Sequence, residues 1–438
     1  MGSANFSLPP ADSPDLTLVI PTPAERIQCL KSNSLEWKGV LDPEQYIQRE
    51  NHLMSQEMTR DGAMTCWILV DRNLAPDHRP ILSSCESFGK RALLAYEGRV
   101  EDIIAHGIGS VFSKPEFRRR GYAGRMIAEL SIKLDTWQQE NSVRKQSVFS
   151  VLYSDIGKTF YAERGWKAFP SSHISLPAVS KDTMNQGVSG VNLDLVRFMQ
   201  ANDVKKLMCS DEVLQRDRQV LREASHRSQR AKVGFLPDYA AMSWHWAREE
   251  FYSRILVPER GEPKVKGACV ESRGVFICWN RSFGRTEKDN VLFILRLLYE
   301  EPKSPAEEKA VAEALAATLY RAQLEAHNWG KNRVDIWNPT PVVEKAVKML
   351  CPTAQVEHRE KSSICSLKWN GAQLGLGEDV DWFWNENTMN SMTGNFAPTF
   401  KLSHVASVLQ DSGNRSFQFS KNSVRLFANV GSGALASR

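Results

Sequence analysis

No C-x-x-C pair occurs in this sequence. Its eight cysteines, at positions 29, 66, 85, 209, 269, 278, 351 and 365, are scattered. That spacing argues against a zinc site and a dense disulfide framework, so no metal and reduced thiols are expected. No strong charge excess is present either: 56 basic side chains against 51 acidic ones leave a formal charge of +5. The charges are interspersed, whereas a nucleic-acid binder concentrates its basic residues. No segment approaches ~18 uninterrupted apolar residues, which argues against a membrane span. Residues 1–15 are polar and contain proline without an apolar run, unlike a signal peptide. The expectation is a soluble, cytoplasmic protein with no nucleic-acid or membrane partner; oligomeric state is not legible.

What is present is a chain of 438 residues, 42% hydrophobic and 24% charged, long enough for two cores. The first part has a strand at 16–20, helices at 24–37 and 43–58, and strands at 65–70, 81–96 (broken at 87–89) and 100–112. A loop at 113–120 leads into a helix at 121–140, followed by a strand at 148–153, a helix at 157–164 and a strand at 172–176. This order predicts an α/β (α+β) domain over 14–178, a mixed sheet flanked by helices. The polar, Gly/Ser-containing stretch 180–190 reads as a linker. A second α/β domain is expected over 190–386, with helices at 202–230 and 237–252, strands at 265–271, 274–279 and 290–299, a helix at 305–329 and a strand at 333–337. Its strand–helix–strand order echoes the first domain, so a degenerate copy and a generic α/β domain both remain open. From 387 to 438, Ser, Asn and Gly dominate and Asp411 is the only acidic residue, as in a flexible tail.

The chemistry concentrates in His106-Gly-Ile-Gly-Ser-Val-Phe-Ser-Lys-Pro-Glu-Phe-Arg-Arg-Arg-Gly-Tyr-Ala-Gly-Arg125. Gly121, Ala123 and Gly124 let backbone approach a bulky anion, and the amides of the following helix's first turn point at it. Arg118, Arg119 and Arg120 flank that nest and suit outer phosphate oxygens. The pattern fits a pyrophosphate, and it is neither the G-x-x-x-x-G-K-[ST] loop nor the G-x-G-x-x-G fingerprint.

This segment resembles the acetyl-CoA motif of GNAT acetyltransferases. A second segment, Tyr153-Ser-Asp-Ile-Gly-Lys-Thr-Phe-Tyr-Ala-Glu-Arg-Gly-Trp166, resembles the GNAT strand, Tyr-bearing helix and Gly-aromatic ending. Ser154 stands where that superfamily often has Asn. A closer resemblance, to the fungal lysine N-acetyltransferase-like family, runs through His106–Phe112, Phe235-Leu-Pro-Asp-Tyr239, Ala247-Arg-Glu-Glu-Phe251, Trp337-Asn-Pro-Thr-Pro341 and Val380-Asp-Trp382. Those chains usually stop soon after the Asn-Glu seen here as Asn385-Glu386. The resemblance implies acetyl transfer from acetyl-CoA, as co-substrate, to an amine. The side-chain amine of free L-lysine or a related small amine leads. A protein lysine, a polyamine, a secondary metabolite or a non-catalytic acyl-CoA-binding protein are the alternatives.

It also implies roles. Tyr161 matches the general acid that protonates the departing thiolate. Its other reading is a core tyrosine. A lysine amine has a pKa near ~10.4, so its proton must be removed. His106 lies where a base is wanted, acting directly or through water, and a hydrogen-bonded structural histidine is its alternative. Glu86 and Glu101 are further carboxylate candidates. The cofactor would lie along Val111, Phe112, Arg118, Arg119, Arg120, Gly121, Tyr122, Ala123, Gly124 and Ser154, with an oxyanion-binding amide at 109–112. For a cationic substrate, the clusters holding Trp244, Glu249 and Asp381 offer aromatic faces and carboxylates. Core packing and solvated charge are their ordinary explanations.

Overall fold

A computed structural model of the chain describes residues 8–140, 142–180, 191–286, 289–361, 363–383 and 424–428. The first half contains β1 (Leu16–Val19), α1 (Pro23–Trp37), α2 (Pro43–Met54), β2 (Met64–Asp71), β3 (Ser83–Tyr96), β4 (Arg99–Phe112), α3 (Tyr122–Leu134), β5 (Phe149–Ser154), α4 (Thr159–Ala162), β6 (Lys167–Ala168) and β7 (Ser172–Pro177). The second contains β8 (Arg197–Met199), α5 (Ala201–Met208), α6 (Asp211–His226), β9 (Ala231–Phe235), α7 (Tyr239–Leu256), β10 (Gly267–Val270), β11 (Val275–Arg281), β12 (Val291–Glu300), α8 (Pro305–Asn328), β13 (Arg333–Trp337), α9 (Pro341–Leu350), β14 (Val356–His358), β15 (Ile364–Trp369), β16 (Val380–Trp382) and β17 (Val424–Ala428).

Local sequence sets most boundaries. α1 and α2 begin in capping boxes, Thr22 with Glu25 and Asp42 with Gln45, each with proline in the first turn. The single helix expected over 202–230 is two, because Ser210 caps a new helix by accepting from the amide of Val213. Its last expected residues turn into β9. The break expected at 87–89 does not occur. β3 runs through, and Gly89 pairs with His106.

The strands form two sheets. The first is ordered β1-β2-β3-β4-β5-β15-β6, with β9 pairing β3 and β16 pairing β9; the second is ordered β8-β10-β11-β12-β13-β7-β14, with β17 pairing β12. Position by position they repeat. Each has an antiparallel run, then one parallel pair (β4 with β5, β12 with β13), then an antiparallel strand from the other half of the chain. Each also carries a register shift before the parallel strand, at Ser84/Glu86 against β4 and at Cys278/Trp279 against β12. The second sheet therefore repeats the strand order and pairing directions of the first.

The domain boundary expected at 178 divides the chain but not the sheets. β7, expected to finish the first sheet, lies in the second between β13 and β14, and β15 returns to the first between β5 and β6. Each half donates the strand that flanks the other's parallel pair. Of the expected tail, Val424–Ala428 form β17 against β12, and the rest lies outside the described residues.

Both faces of the first sheet are covered. On one, Met126, Ile127 and Leu130 of α3 pack with Trp67, Ile108, Leu152 and Trp166. On the other, Trp244 and Ala247 of α7 pack with Phe88, Ala105 and Val151. Alternation along the strands thus assigns every site residue to the α3 face or the α7 face.

Candidate active site

The site starts where β4 leaves β5. The two pair in parallel at His106–Ser150, Gly107–Val151 and Ile108–Leu152. Beyond Ile108, β4 carries one residue more than β3 can match, since Glu86 opposes Gly109 and Ser84 opposes Phe112. Ser110 absorbs the bulge at φ +52°. On the far side, Tyr153 and Ser154 pair with Cys365 and Ile364 of β15 instead of with β4. The strands splay into a wedge, and the peptide groups of 109–112 on that edge are available to a ligand.

The turn that follows β4 suits an anion. Arg119 has φ +63° and Gly121 φ +85°, and Gly121 is the N-cap of α3. No side chain caps this helix, whereas Thr22, Asp42, Ser210, Asp238, Ser304 and Thr340 cap α1, α2, α6, α7, α8 and α9. The first-turn amides of α3 are therefore left for an external acceptor, with the positive end of the helix behind them. A side chain at Gly121 would be strained and would lie 3.0 Å from Cβ of Ala11. Arg118, Arg119 and Arg120 are exposed on the turn. Arg118 bonds Glu36 (2.7 Å) and the Ser113 carbonyl (3.0 Å). At Gly124 a Cβ would fall 2.7 Å from Nη2 of Arg164, whose guanidinium stacks over Phe160 at 4.2 Å. Arg164 is thus a cation at the start of α3 that the motif reading passed over, although it stands in the quoted Glu-Arg-Gly-Trp.

Two cofactor candidates have other duties for their side chains. The Tyr122 hydroxyl donates to the Pro9 carbonyl at 2.6 Å, so the ring points into the core and only its amide faces the turn. Ser154 donates to the Gly157 carbonyl (2.6 Å) and accepts from the Ile156 amide (3.3 Å), closing the β5–α4 turn. Val111 packs partly against the α3 cluster, and Phe112 meets Trp37 edge-on at 5.8 Å.

Tyr161 lies in the α3-face cluster with Cys85. Burial first, then the neighbouring Cys85 and Asp155, push its hydroxyl well above the ordinary tyrosine range. It is a neutral proton donor at any ordinary pH.

His106 is not placed to serve as a base. It is on the α3 face, fully buried, with Nε2 3.1 Å from Oε1 of Gln138 and Nδ1 without a partner. Burial lowers its pKa to about 4. A neutral imidazole of that basicity gains little from taking a proton at pH 7. Glu101 is a half-exposed partner of Arg144 at 2.6 Å.

Glu86 is different. It sits on β3 directly opposite the bulge, on the α7 face, 3% exposed. Burial, aided by Glu50, raises its pKa to about 7, against the pull of a Ser110 hydrogen bond and of Arg26 and Arg49. Oε2 has no partner. A carboxyl that titrates near neutrality beside the wedge has the properties of a general base.

The three substrate candidates are occupied. Trp244 is core, its indole N–H donating to the Leu53 carbonyl at 3.2 Å. Glu249 is neutralised within the second domain by Lys266 (2.9 Å) and Arg281 (3.0 Å). Asp381 pairs with Lys232 and with Arg230 at 3.1 Å, tying β16 to β9. The pattern of acids and aromatics is real, but each carboxylate meets a basic residue brought from a distant part of the chain.

Residues 173–390 match the family described as the LYC1 GNAT-like C-terminal domain. A protein of Yarrowia lipolytica named lysine acetyltransferase is 23% identical over 355 residues, covering 73% of this chain and 83% of its own. Residues 173–390 thus carry a GNAT-like C-terminal domain, and the chain is similar to a lysine acetyltransferase over most of its length. An uncharacterised Saccharomyces cerevisiae protein is 22% identical over 358 residues, 75% of this chain and 85% of its own. A GCN5-related N-acetyltransferase from Kribbella flavida aligns in structure with a TM-score of 0.46 at 16% identity, over 82% of this chain and 72% of its own. Among the described residues no helix is long and apolar enough to cross a membrane, no group of His, Cys, Asp or Glu is placed to hold a metal ion, and all eight cysteines are free.

Proposed function

We propose that this GNAT enzyme moves an acetyl group from acetyl-CoA to the side-chain amine of free L-lysine or a related small amine, by direct attack through a tetrahedral intermediate. The observation that carries the reading is Glu86, a buried carboxylate with pKa raised to about 7, opposite the bulge of a splayed β4. The amine nitrogen attacks the thioester carbonyl and its proton passes to Glu86. The oxyanion accepts a hydrogen bond from a backbone amide in 109–112. As the C–S bond breaks, Tyr161 protonates the departing sulfur of CoA. The phosphates lie on the α3 turn, with Arg118, Arg119, Arg120 and Arg164 around them. No acyl-enzyme is needed, because amine and thioester meet in one site.

The name of the Yarrowia relative supports lysine as the acceptor. Free-thiol release from acetyl-CoA, measured against L-lysine, D-lysine, ornithine, polyamines and a lysine-containing peptide, tests it. Turnover with L-lysine that collapses in Tyr161→Phe and Glu86→Gln supports both acceptor and site. Turnover confined to the peptide would make the acceptor a protein, and acetyl-CoA binding without any turnover would make the chain a non-catalytic binder.

A further inference from the structure

More charge is buried around Glu86 than a base requires. Arg49 and Glu50 of α2 are both fully buried. Arg49 donates to Oε1 of Glu50 at 2.6 Å and to the Tyr252 hydroxyl at 2.6 Å. Arg26 of α1 bonds Asn51 through Nη1 at 2.8 Å, while its Nε and Nη2 are buried without partners. Arg248 of α7 is 8% exposed. Tyr252 lies beside it, its ring 5.8 Å away, and among the described residues no carboxylate lies within ion-pair distance of it. Three guanidinium groups thus share a buried region with two carboxyls, Glu50 and Glu86. Against its burial, Arg49 and Arg248 hold the Tyr252 hydroxyl below the usual tyrosine range; it is the only other acidic group seen at both cations, and no carboxylate pairs with Arg248 among the described residues.

The unmet hydrogen bonds have both signs. Oε2 of Glu50 and Oε2 of Glu86 lack donors. Nε and Nη2 of Arg26 lack acceptors, and Arg248 has the Tyr252 hydroxyl but no carboxylate at ion-pair distance among the described residues. Buried ionic groups are costly unless paired, so a ligand completing this set must carry ammonium and carboxylate together. The charges are also ordered in space. Arg26 and Arg49 act on Glu86 itself, while Arg248 is not among the groups that act on Glu86 and meets Arg49 through their shared neighbour Tyr252. The amine end of an acceptor belongs at Glu86 and its anionic end farther along α7.

We infer that Arg248 anchors the carboxylate of the acceptor, so that the enzyme selects amino-acid acceptors over polyamines of the same length. The assignment rests on the acetyl-transfer reading above, with Glu86 marking the reacting end. A guanidinium that pairs a carboxylate in a buried site supplies charge-assisted hydrogen bonds and geometric selection together.

The experiment compares L-lysine, L-lysinamide and cadaverine as acceptors for the full-length protein and for Arg248→Gln and Arg248→Lys. Wild-type kcat/KM is expected to favour L-lysine over the two analogues that lack the carboxylate by tenfold or more. Arg248→Gln should lower kcat/KM for L-lysine on the order of a hundredfold and change the analogues by less than about threefold, with Arg248→Lys between. Equal wild-type use of L-lysine and L-lysinamide, or a uniform loss on all three in a folded Arg248→Gln protein, overturns the inference. If Arg248→Gln does not fold, the wild-type preference and Arg248→Lys decide. If no amine is acetylated at all, the transfer reading fails separately, and calorimetric binding of L-lysine against L-lysinamide in the presence of CoA still decides the role of Arg248.

Discussion

Glu86 and His106 show how burial sorts two groups that look equally suited to one task. Both are polar residues on central strands, and both lose nearly all solvent. Burial disfavours the charged form of each, which raises a carboxyl and lowers an imidazole. The carboxyl arrives near 7 and the imidazole near 4, so only the first titrates where a base is useful. With Glu86 as base, kcat/KM should fall as pH drops below about 7, because the protonated carboxyl cannot accept the amine's proton. Glu86→Gln should lower kcat about 10²–10⁴-fold and abolish that limb, whereas His106→Asn should retain it. The same group predicts a stability effect of opposite sign. Its folded pKa exceeds its unfolded one, so its contribution is full below about 4.5 and is lost as pH rises through about 7. Glu86→Gln should therefore melt higher than wild type at pH 8, with the gap closing by pH 5. Thermal scans at the two pH values check it.

At the scale of elements, legibility followed the range of the interactions that decide each feature. The β4 turn and α3 were readable because Gly121, Ala123, Gly124 and the arginines act within a few residues of one another. Apolar residues at helical spacing likewise marked α1 and α2. β9 and β15 were missed because Ala231–Phe235 and Ile364–Trp369 are short runs whose strand character comes from partners more than a hundred residues away. Glu86 was legible only as one of two carboxylate alternatives ranked behind His106, since its burial depends on helices distant in sequence closing over β3. The failure of the Trp244, Glu249 and Asp381 grouping has the same origin, in long-range pairing to Leu53, Lys266 and Lys232. The turn itself gives a clean test. Gly121→Ala places a side chain at φ +85° and 3.0 Å from Ala11, which costs about 1–2 kcal/mol of backbone strain and tilts the amides that meet phosphate. Acetyl-CoA affinity by calorimetry should weaken tenfold or more, while the acid limb of the rate profile stays near 7.

For the whole molecule, the exchange of β7 and β15 makes the two halves interdependent. Neither half contains all the strands of its own sheet. A fragment of residues 1–178 lacks β15, leaving β5 without its outer neighbour, and lacks the β9 and α7 residues that close the face holding Glu86. It also carries β7 with nothing to pair against. Unpaired strand edges and an uncovered apolar face favour aggregation over folding. The fragment should therefore be insoluble or lack a cooperative melt by circular dichroism, and co-expression with 179–438 should recover a soluble complex that binds acetyl-CoA. The intact chain should melt in one transition, because unfolding either sheet removes a central strand from the other. Two well-separated transitions, or a soluble and active fragment, would mean that the exchanged strands are decoration on independent domains. The interdependence has a functional side as well. Glu86, Arg26 and Arg49 come from the first half and Arg248 and Tyr252 from the second, so strand exchange holds α7 in register with the wedge it covers.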